Sequence, residues 1–216
     1  ILDEDSNLMV ATAEGLSVIP RKNKSQNTDW ENVENAVFGT NIQTLFLDSK
    51  NELWLGTAEV GLYHFNPTTS QLNFFGNDPD VDNDLNHLYV RDIIEDLDGN
   101  IIVGTLGGLN YYDRSTRSFS HLTDQMNSAE SLNSPFVNSL FSDEFGNVWI
   151  GTEKGGVNYY NTFQKPFYSL QSDPSSPNTL SHNIINSVYS ENNSLWVGTA
   201  GGGLNKLTNN LSEITY

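Results

Sequence analysis

Cysteine is absent from the 216 residues. That excludes disulfides, thiol catalysis and thiolate metal sites, and it fits either the cytoplasm or the bacterial periplasm. Positive charge is scarce: 10 Lys and Arg stand against 27 Asp and Glu, for a formal net charge of −17. Such a chain repels phosphate backbones, so nucleic acid and anionic membrane surfaces are poor partners. No apolar run approaches the ~18 to 20 residues of a membrane span, and no signal peptide is seen, so no direct membrane insertion is expected of this segment. Sustained 3.6-residue periodicity is lacking, and helices should be scarce. Catalytic patterns are missing too: there is no HExxH spacing, no nucleophile elbow and no isolated carboxylate pair. No catalytic residue, metal or cofactor is expected.

What the chain does have is a Gly-Thr pair that returns every 45 to 48 residues. It reads Trp54-Leu55-Gly56-Thr57, Ile102-Val103-Gly104-Thr105, Trp149-Ile150-Gly151-Thr152 and Trp196-Val197-Gly198-Thr199, with a degenerate copy at Met9-Val10-Ala11-Thr12. A period near 47 marks a stacked or radial repeat architecture. Each copy holds four strand-like runs joined by tight turns, the pattern of an antiparallel blade. The first run is apolar, from Ile42, Val90, Val137 and Ile185 onward. A five-residue turn follows, as in Asp48-Ser49-Lys50-Asn51-Glu52 or Ser190-Glu191-Asn192-Asn193-Ser194. Asp, Asn and Gly suit such hairpins because they tolerate positive φ and bond their own backbone. The fourth, aromatic runs are Leu72 to Phe75, Phe119 to Leu122, Phe167 to Leu170 and Ile214 to Tyr216. Trp30 falls in a longer, irregular fourth strand of the first copy.

The fold expected is all-β, a β-propeller of four-stranded antiparallel blades, about five in this chain and part of a larger ring. Blades are placed at approximately 1–35 (incomplete), 36–80, 81–127, 128–175 and 176–216. Asp3 is equivalent to Asp48, so the chain begins inside a blade. Open blade edges would invite self-association. Leu85, Leu132 and Leu180 recur in the links between blades and should plug between them. Trp54, Trp149 and Trp196 share one repeat position, which points to blade-to-blade packing rather than to a sugar site. The loop Asp96-Leu97-Asp98-Gly99-Asn100 resembles the start of a calcium loop but lacks its later ligands, and it aligns with the other hairpins.

The phrases Leu-Trp-Val-Gly-Thr-Ala-Gly-Gly-Gly-Leu-Asn (195 to 205), Leu-Ser-His-Asn-Ile-Ile-Asn-Ser-Val (180 to 188) and Val-Trp-Ile-Gly-Thr-Glu-Lys-Gly-Gly-Val-Asn (148 to 158) resemble the two-component regulator propeller repeat. The departures are Ala11 for Gly in the first copy and Ile102 for Trp in the third. The resemblance implies a periplasmic sensor region, usually of seven blades per ring, ahead of a membrane helix and a histidine kinase or diguanylate cyclase. It also implies oligosaccharide ligands, as in members from gut bacteria.

Propeller architecture places candidate ligand residues where each innermost strand opens toward the channel: Gln43, Arg91, Asn138 and Asn186. Amides and a guanidinium suit sugar hydroxyls or a carboxylate. His87 and His182 occupy equivalent positions in the inter-blade loops and join the candidates. The leading function is ligand sensing by an extracytoplasmic propeller of a membrane-bound two-component protein, with a small molecule or oligosaccharide as ligand. The alternatives are a polysaccharide-active propeller enzyme and a protein-binding propeller scaffold.

Overall fold

A computed structural model describes residues 1–4, 6–21, 28–78, 81, 83–123, 131–161, 168–176, 178–191, 194–208 and 213–215. Phe167, Asn192, Asn193 and Tyr216, each part of an expected strand or turn, lie outside the described residues.

Each Gly-Thr pair ends the second strand of a meander. Blade II runs β3 (Ile42–Leu47), β4 (Leu53–Thr57), β5 (Leu62–Asn66) and β6 (Gln71–Phe75). Blade III runs β7 (Val90–Glu95), β8 (Ile101–Thr105), β9 (Gly108–Asp113) and β10 (Ser118–Leu122). Blade IV runs β11 (Val137–Ser142), β12 (Asn147–Thr152), β13 (Gly156–Asn161) and β14 (Tyr168–Leu170). Blade V runs β15 (Ile185–Glu191), β16 (Ser194–Thr199), β17 (Gly203–Thr208) and β18 (Glu213–Thr215). Every one of these sheets is antiparallel, with its strands hydrogen-bonded in chain order.

In blades II to IV the first hairpin is built on an aspartate. Asp48 Oδ1 accepts the Lys50 and Glu52 amides, Asp96 Oδ1 those of Asp98 and Asn100, and Asp143 Oδ1 those of Phe145 and Asn147. Three residues on, the backbone turns to positive φ at Asn51, Gly99 and Gly146. Asp3 repeats the pattern, accepting the Asn7 amide, with positive φ at Ser6. The DLDGN segment is therefore a hairpin like its equivalents.

The threonine of the pair locks the next turn. Its hydroxyl donates to the carbonyl of the glycine that opens the third strand: Thr57 to Gly61, Thr105 to Gly108, Thr152 to Gly156, Thr199 to Gly203 and Thr12 to Gly15. The glycine serves the next blade. A Cβ on Gly104 would lie 2.5 Å from Val137 Cγ1, and one on Gly151 2.7 Å from Ile185 Cγ2. The innermost strand of the following blade needs that space.

Apolar cores accordingly form between blades. One joins Trp54, Leu62 and Leu85 to Val90, Ile93 and Val103. Another joins Ile102, Leu109 and Leu132 to Val137, Val148 and Ile150, and a third joins Trp149, Val157 and Leu180 to Ile185 and Val197. The recurrent leucines are the expected plugs, each contributing about 1.5–3 kcal/mol by burial. Buried asparagines hold the plugs in register. Asn110 Oδ1 accepts the Asn86 amide, Asn158 Oδ1 that of Asn133, and Asn205 Oδ1 that of Ser181.

Blade I departs from expectation. Its strands are β1 (Leu8–Thr12) and β2 (Gly15–Ile19), with Leu2 bridged to Leu8. Trp30 is not in a strand: it lies on α1 (Thr28–Ala36), packed against β2. Apolar residues at 30, 33 and 37 fall on one helical face. Trp30 and Val33, with Val37 just beyond the helix, enter the core with Met9, Ile42 and Phe65. The helix also replaces a strand's hydrogen bonding, since Glu34 Oε1 accepts the Val18 amide at 2.6 Å.

Candidate functional site

The innermost strands β3, β7, β11 and β15 stand side by side. In each, the pairing with the second strand slips by one residue. The slip falls between Ile42 and Thr44, Val90 and Asp92, Val137 and Ser139, and Ile185 and Ser187. The skipped residues are Gln43, Arg91, Asn138 and Asn186, the four singled out at the channel mouth. A β-bulge leaves its extra residue unpaired and re-aims the side chain.

The bulged side chains communicate across blades. Gln43 Nε2 donates to Asn41 Oδ1 at 2.8 Å, and Tyr89 Oη lies 3.5 Å from Gln43 Oε1. The Arg91 guanidinium sits 5.7 Å from the Tyr89 ring centroid and donates through Nη2 to Asn138 Oδ1 at 3.3 Å. Asn138 Nδ2 donates to the Ile185 carbonyl at 3.0 Å. A polar line thus crosses blades II to V, with Asn186 exposed beyond it. Among the described residues no carboxylate pairs with Arg91. Neighbouring Asp92 is committed elsewhere. Its oxygens accept the Ile93 amide at 2.9 Å and the Leu140 amide of the next blade at 2.7 Å, and burial raises its pKa.

His87 and His182 brace loops. Nδ1 of each accepts the amide two residues on, Tyr89 at 2.9 Å and Ile184 at 3.1 Å. Ser134, at the same repeat position, does likewise for Phe136 at 3.4 Å. With Nδ1 accepting, a neutral ring carries its proton on Nε2 as a free-standing donor. Two further aromatic residues flank the bulges. Tyr89 and Phe136 each stand two positions before a bulge, and Phe136 is 45% exposed. Their signal in the sequence is that fixed offset from Arg91 and Asn138.

A second cluster, also unforeseen, sits on the opposite rim. Arg114, from the turn after β9, reaches into blade II. Its Nη1 donates to Glu52 Oε2 at 2.7 Å, and Nη2 meets Asp48 Oδ2 and approaches Glu95 Oε1 at 3.7 Å. His64 Nε2 contacts the same Glu52 oxygen at 3.0 Å and stacks on Trp54 at 3.9 Å between centroids. Burial lowers the His64 pKa despite the facing carboxylates. The Trp54 Nε1 donates to Asp48 Oδ2 at 2.7 Å. This is an inter-blade lock with every polar partner supplied by the chain itself, save the buried Arg114 Nε.

Residues 131–154 match the family described as two component regulator propeller. That stretch is one copy of the repeat that recurs along the chain. The matched stretch runs from the Leu132 plug through β11 and β12 to just past the Gly-Thr pair, one structural unit of the blade array. Among solved structures, the chain resembles the extracellular domain assigned to the hybrid two component system BT3049 from B. thetaiotaomicron, at TM-score 0.75 and 20% identity over 100% of this chain and 29% of that one. The corresponding domain of BT4673 gives 0.68 at 22% identity, over 100% and 36%. Virginiamycin B lyase from Staphylococcus aureus gives 0.64 at 10% identity, over 100% and 67%. At these identities the likeness shows the propeller fold. The chain spans about a third of the two extracellular domains it resembles. No curated protein matches it.

Proposed function

We propose that this regulator propeller is a ligand-sensing part of an extracytoplasmic region in a two-component signalling protein. In this reading the region lies in the periplasm and passes its signal to a histidine kinase or diguanylate cyclase elsewhere in the same protein. The bulged residues at the channel mouth carry the reading. Gln43, Arg91, Asn138 and Asn186 take no part in sheet pairing; the first three lie along one polar line and Asn186 is exposed beyond it. Side chains exempt from sheet pairing at one end of a channel are suited to a ligand.

The ligand proposed is a saccharide. Amides and the Nε2–H groups of His87 and His182 match hydroxyls, and Tyr89 and Phe136 offer aromatic faces to a pyranose ring. Arg91 selects for a uronate carboxylate, which a guanidinium grips bidentately. The test is calorimetric titration of neutral and uronic oligosaccharides into the whole extracytoplasmic region. Arg91→Ala is expected to weaken uronate binding about ten- to hundredfold, the loss of one charged hydrogen-bonding group. Neutral saccharides should change little. Unchanged affinity for every saccharide that binds removes Arg91 from the site. Absence of saccharide binding to the wild type removes the reading.

A further inference from the structure

The third copy of the repeat departs from the others at Ile102, and a cavity of about 580 Å³ opens beside it, between blades III and IV. The equivalent space elsewhere holds an indole. Between blades II and III, Trp54 stacks on His64 and meets the edge of Tyr112 at 5.5 Å. Between IV and V, Trp149 packs on Tyr159 at 4.7 Å, its Nε1 donating to Asp143 Oδ2 at 3.1 Å. The corresponding walls of the III–IV cavity are Tyr111, paired with Ile102, and Tyr160, in the place of Tyr112. Tyr111 even assumes the indole's hydrogen bond, donating its hydroxyl to Asp96 Oδ2 at 3.1 Å.

The cavity offers acceptors. Asn110 is fixed in orientation, because its Oδ1 accepts the Asn86 amide while its Nδ2 donates to Asn86 Oδ1 at 2.9 Å. His121 Nδ1, 2.9 Å from Asn110 Oδ1, must therefore be the donor. Burial lowers the pKa of His121 and favours the neutral ring. Its Nε2 then carries a lone pair on a side chain lining the cavity, as the Asp98 carboxylate also does. Leu109 and Val148 supply apolar wall.

We propose that this cavity is a ligand site for a flat bicyclic ring bearing an N–H donor, with indole its simplest occupant. The volume falls in the range of small-molecule sites, and the neighbouring interfaces are each built around an indole at the position that Ile102 leaves open. The site is separate from the channel mouth and independent of any saccharide bound there.

Titration of indole into the whole chain, followed by calorimetry and thermal melting, tests it. Saturable binding and a raised melting temperature are expected. Ile102→Trp should fill the cavity from blade III, abolish both effects and itself melt higher than wild type. Val148→Phe fills the same space from blade IV and should abolish binding too, should the tryptophan variant fail to fold. On the wild type, 1-methylindole should bind about three- to tenfold more weakly than indole, the cost of one hydrogen bond. His121→Leu should erase that preference. Indole binding that is undetectable in the wild type, or undiminished in a folded filling variant, overturns the proposal.

Discussion

Replacing Gly104 with alanine tests how the blades are joined. The new Cβ would lie 2.5 Å from Val137 Cγ1, with Leu140 Cδ1 and Val137 Cβ both at 3.3 Å. One methyl of one residue thus dominates the clash. Overpacking of this kind costs about 1–3 kcal/mol. Alanine also restricts the unfolded chain, returning about 0.4–1 kcal/mol, so a net loss of about 1–2 kcal/mol is expected. Val137→Ala alone removes two methyl groups from a fully buried side chain. Transfer and cavity terms together put that loss at about 2–3 kcal/mol. In the double variant the methyl added at position 104 moves into space that the valine side chain has vacated. The summed losses should then exceed the double-variant loss by about 1–2 kcal/mol, a coupling well outside ordinary additivity. Urea unfolding of the four proteins, followed by circular dichroism and tryptophan fluorescence, measures the cycle. Gly198→Ala is the internal control. Its Cβ meets only Ser187, whose exposed hydroxyl can rotate away, and a change below about 1 kcal/mol is expected. Additive losses at 104 and 137, or an equal loss at 198, would refute the claim that this glycine is kept for the neighbouring blade.

Two further outcomes concern the opposite rim. Arg114→Met leaves Asp48, Glu52 and Glu95 facing one another without their shared cation, and stability should fall by about 3–5 kcal/mol in urea unfolding; a loss under about 1 kcal/mol would mean the cluster is solvated. His64, facing Glu52, Asp48 and Arg114, has its pKa lowered from 6.5 in the fold, and so does His121. The unfolded chain therefore binds more protons just below pH 6.5, and stability contributed by the neutral rings is complete above that value and declines as pH falls toward the folded pKa. Melting temperature should drop from pH 7.5 to pH 5.5, and His64→Gln should flatten the slope; an unchanged slope assigns the dependence to other groups.

The fold was legible because its determinants repeat at one period. Gly104, Thr105 and Leu132 each do in blade III what their equivalents do elsewhere, so alignment of the chain with itself reveals strands, turns and plugs together. The strand-entry positions Gln43, Arg91, Asn138 and Asn186 could be aligned for the same reason. That they are bulged was not legible, because a bulge is a mismatch between two strands and leaves no mark on either alone. Arg114 was hidden by distance: its partners Glu52 and Asp48 lie 62 and 66 positions earlier, in another blade. The helix around Trp30 was hidden by the repeat itself. An expectation of a fourth strand masked an apolar spacing of three and four residues, too short to register as sustained periodicity. The cavity beside Ile102 shows the opposite case, where a single departure from the repeat locates a feature that the regular positions cannot.

The bulges carry a consequence for what can be changed on the blades. A residue that pairs across a sheet is constrained from both sides, and altering it disturbs register and packing. Gln43, Arg91, Asn138 and Asn186 stand outside that frame, one to each of blades II to V. Substitution there leaves the ladder on either side intact. Each of these blades therefore offers one letter that can be rewritten without retyping the sentence around it, and a row of such letters on adjacent strands allows many different surfaces on a single unaltered scaffold.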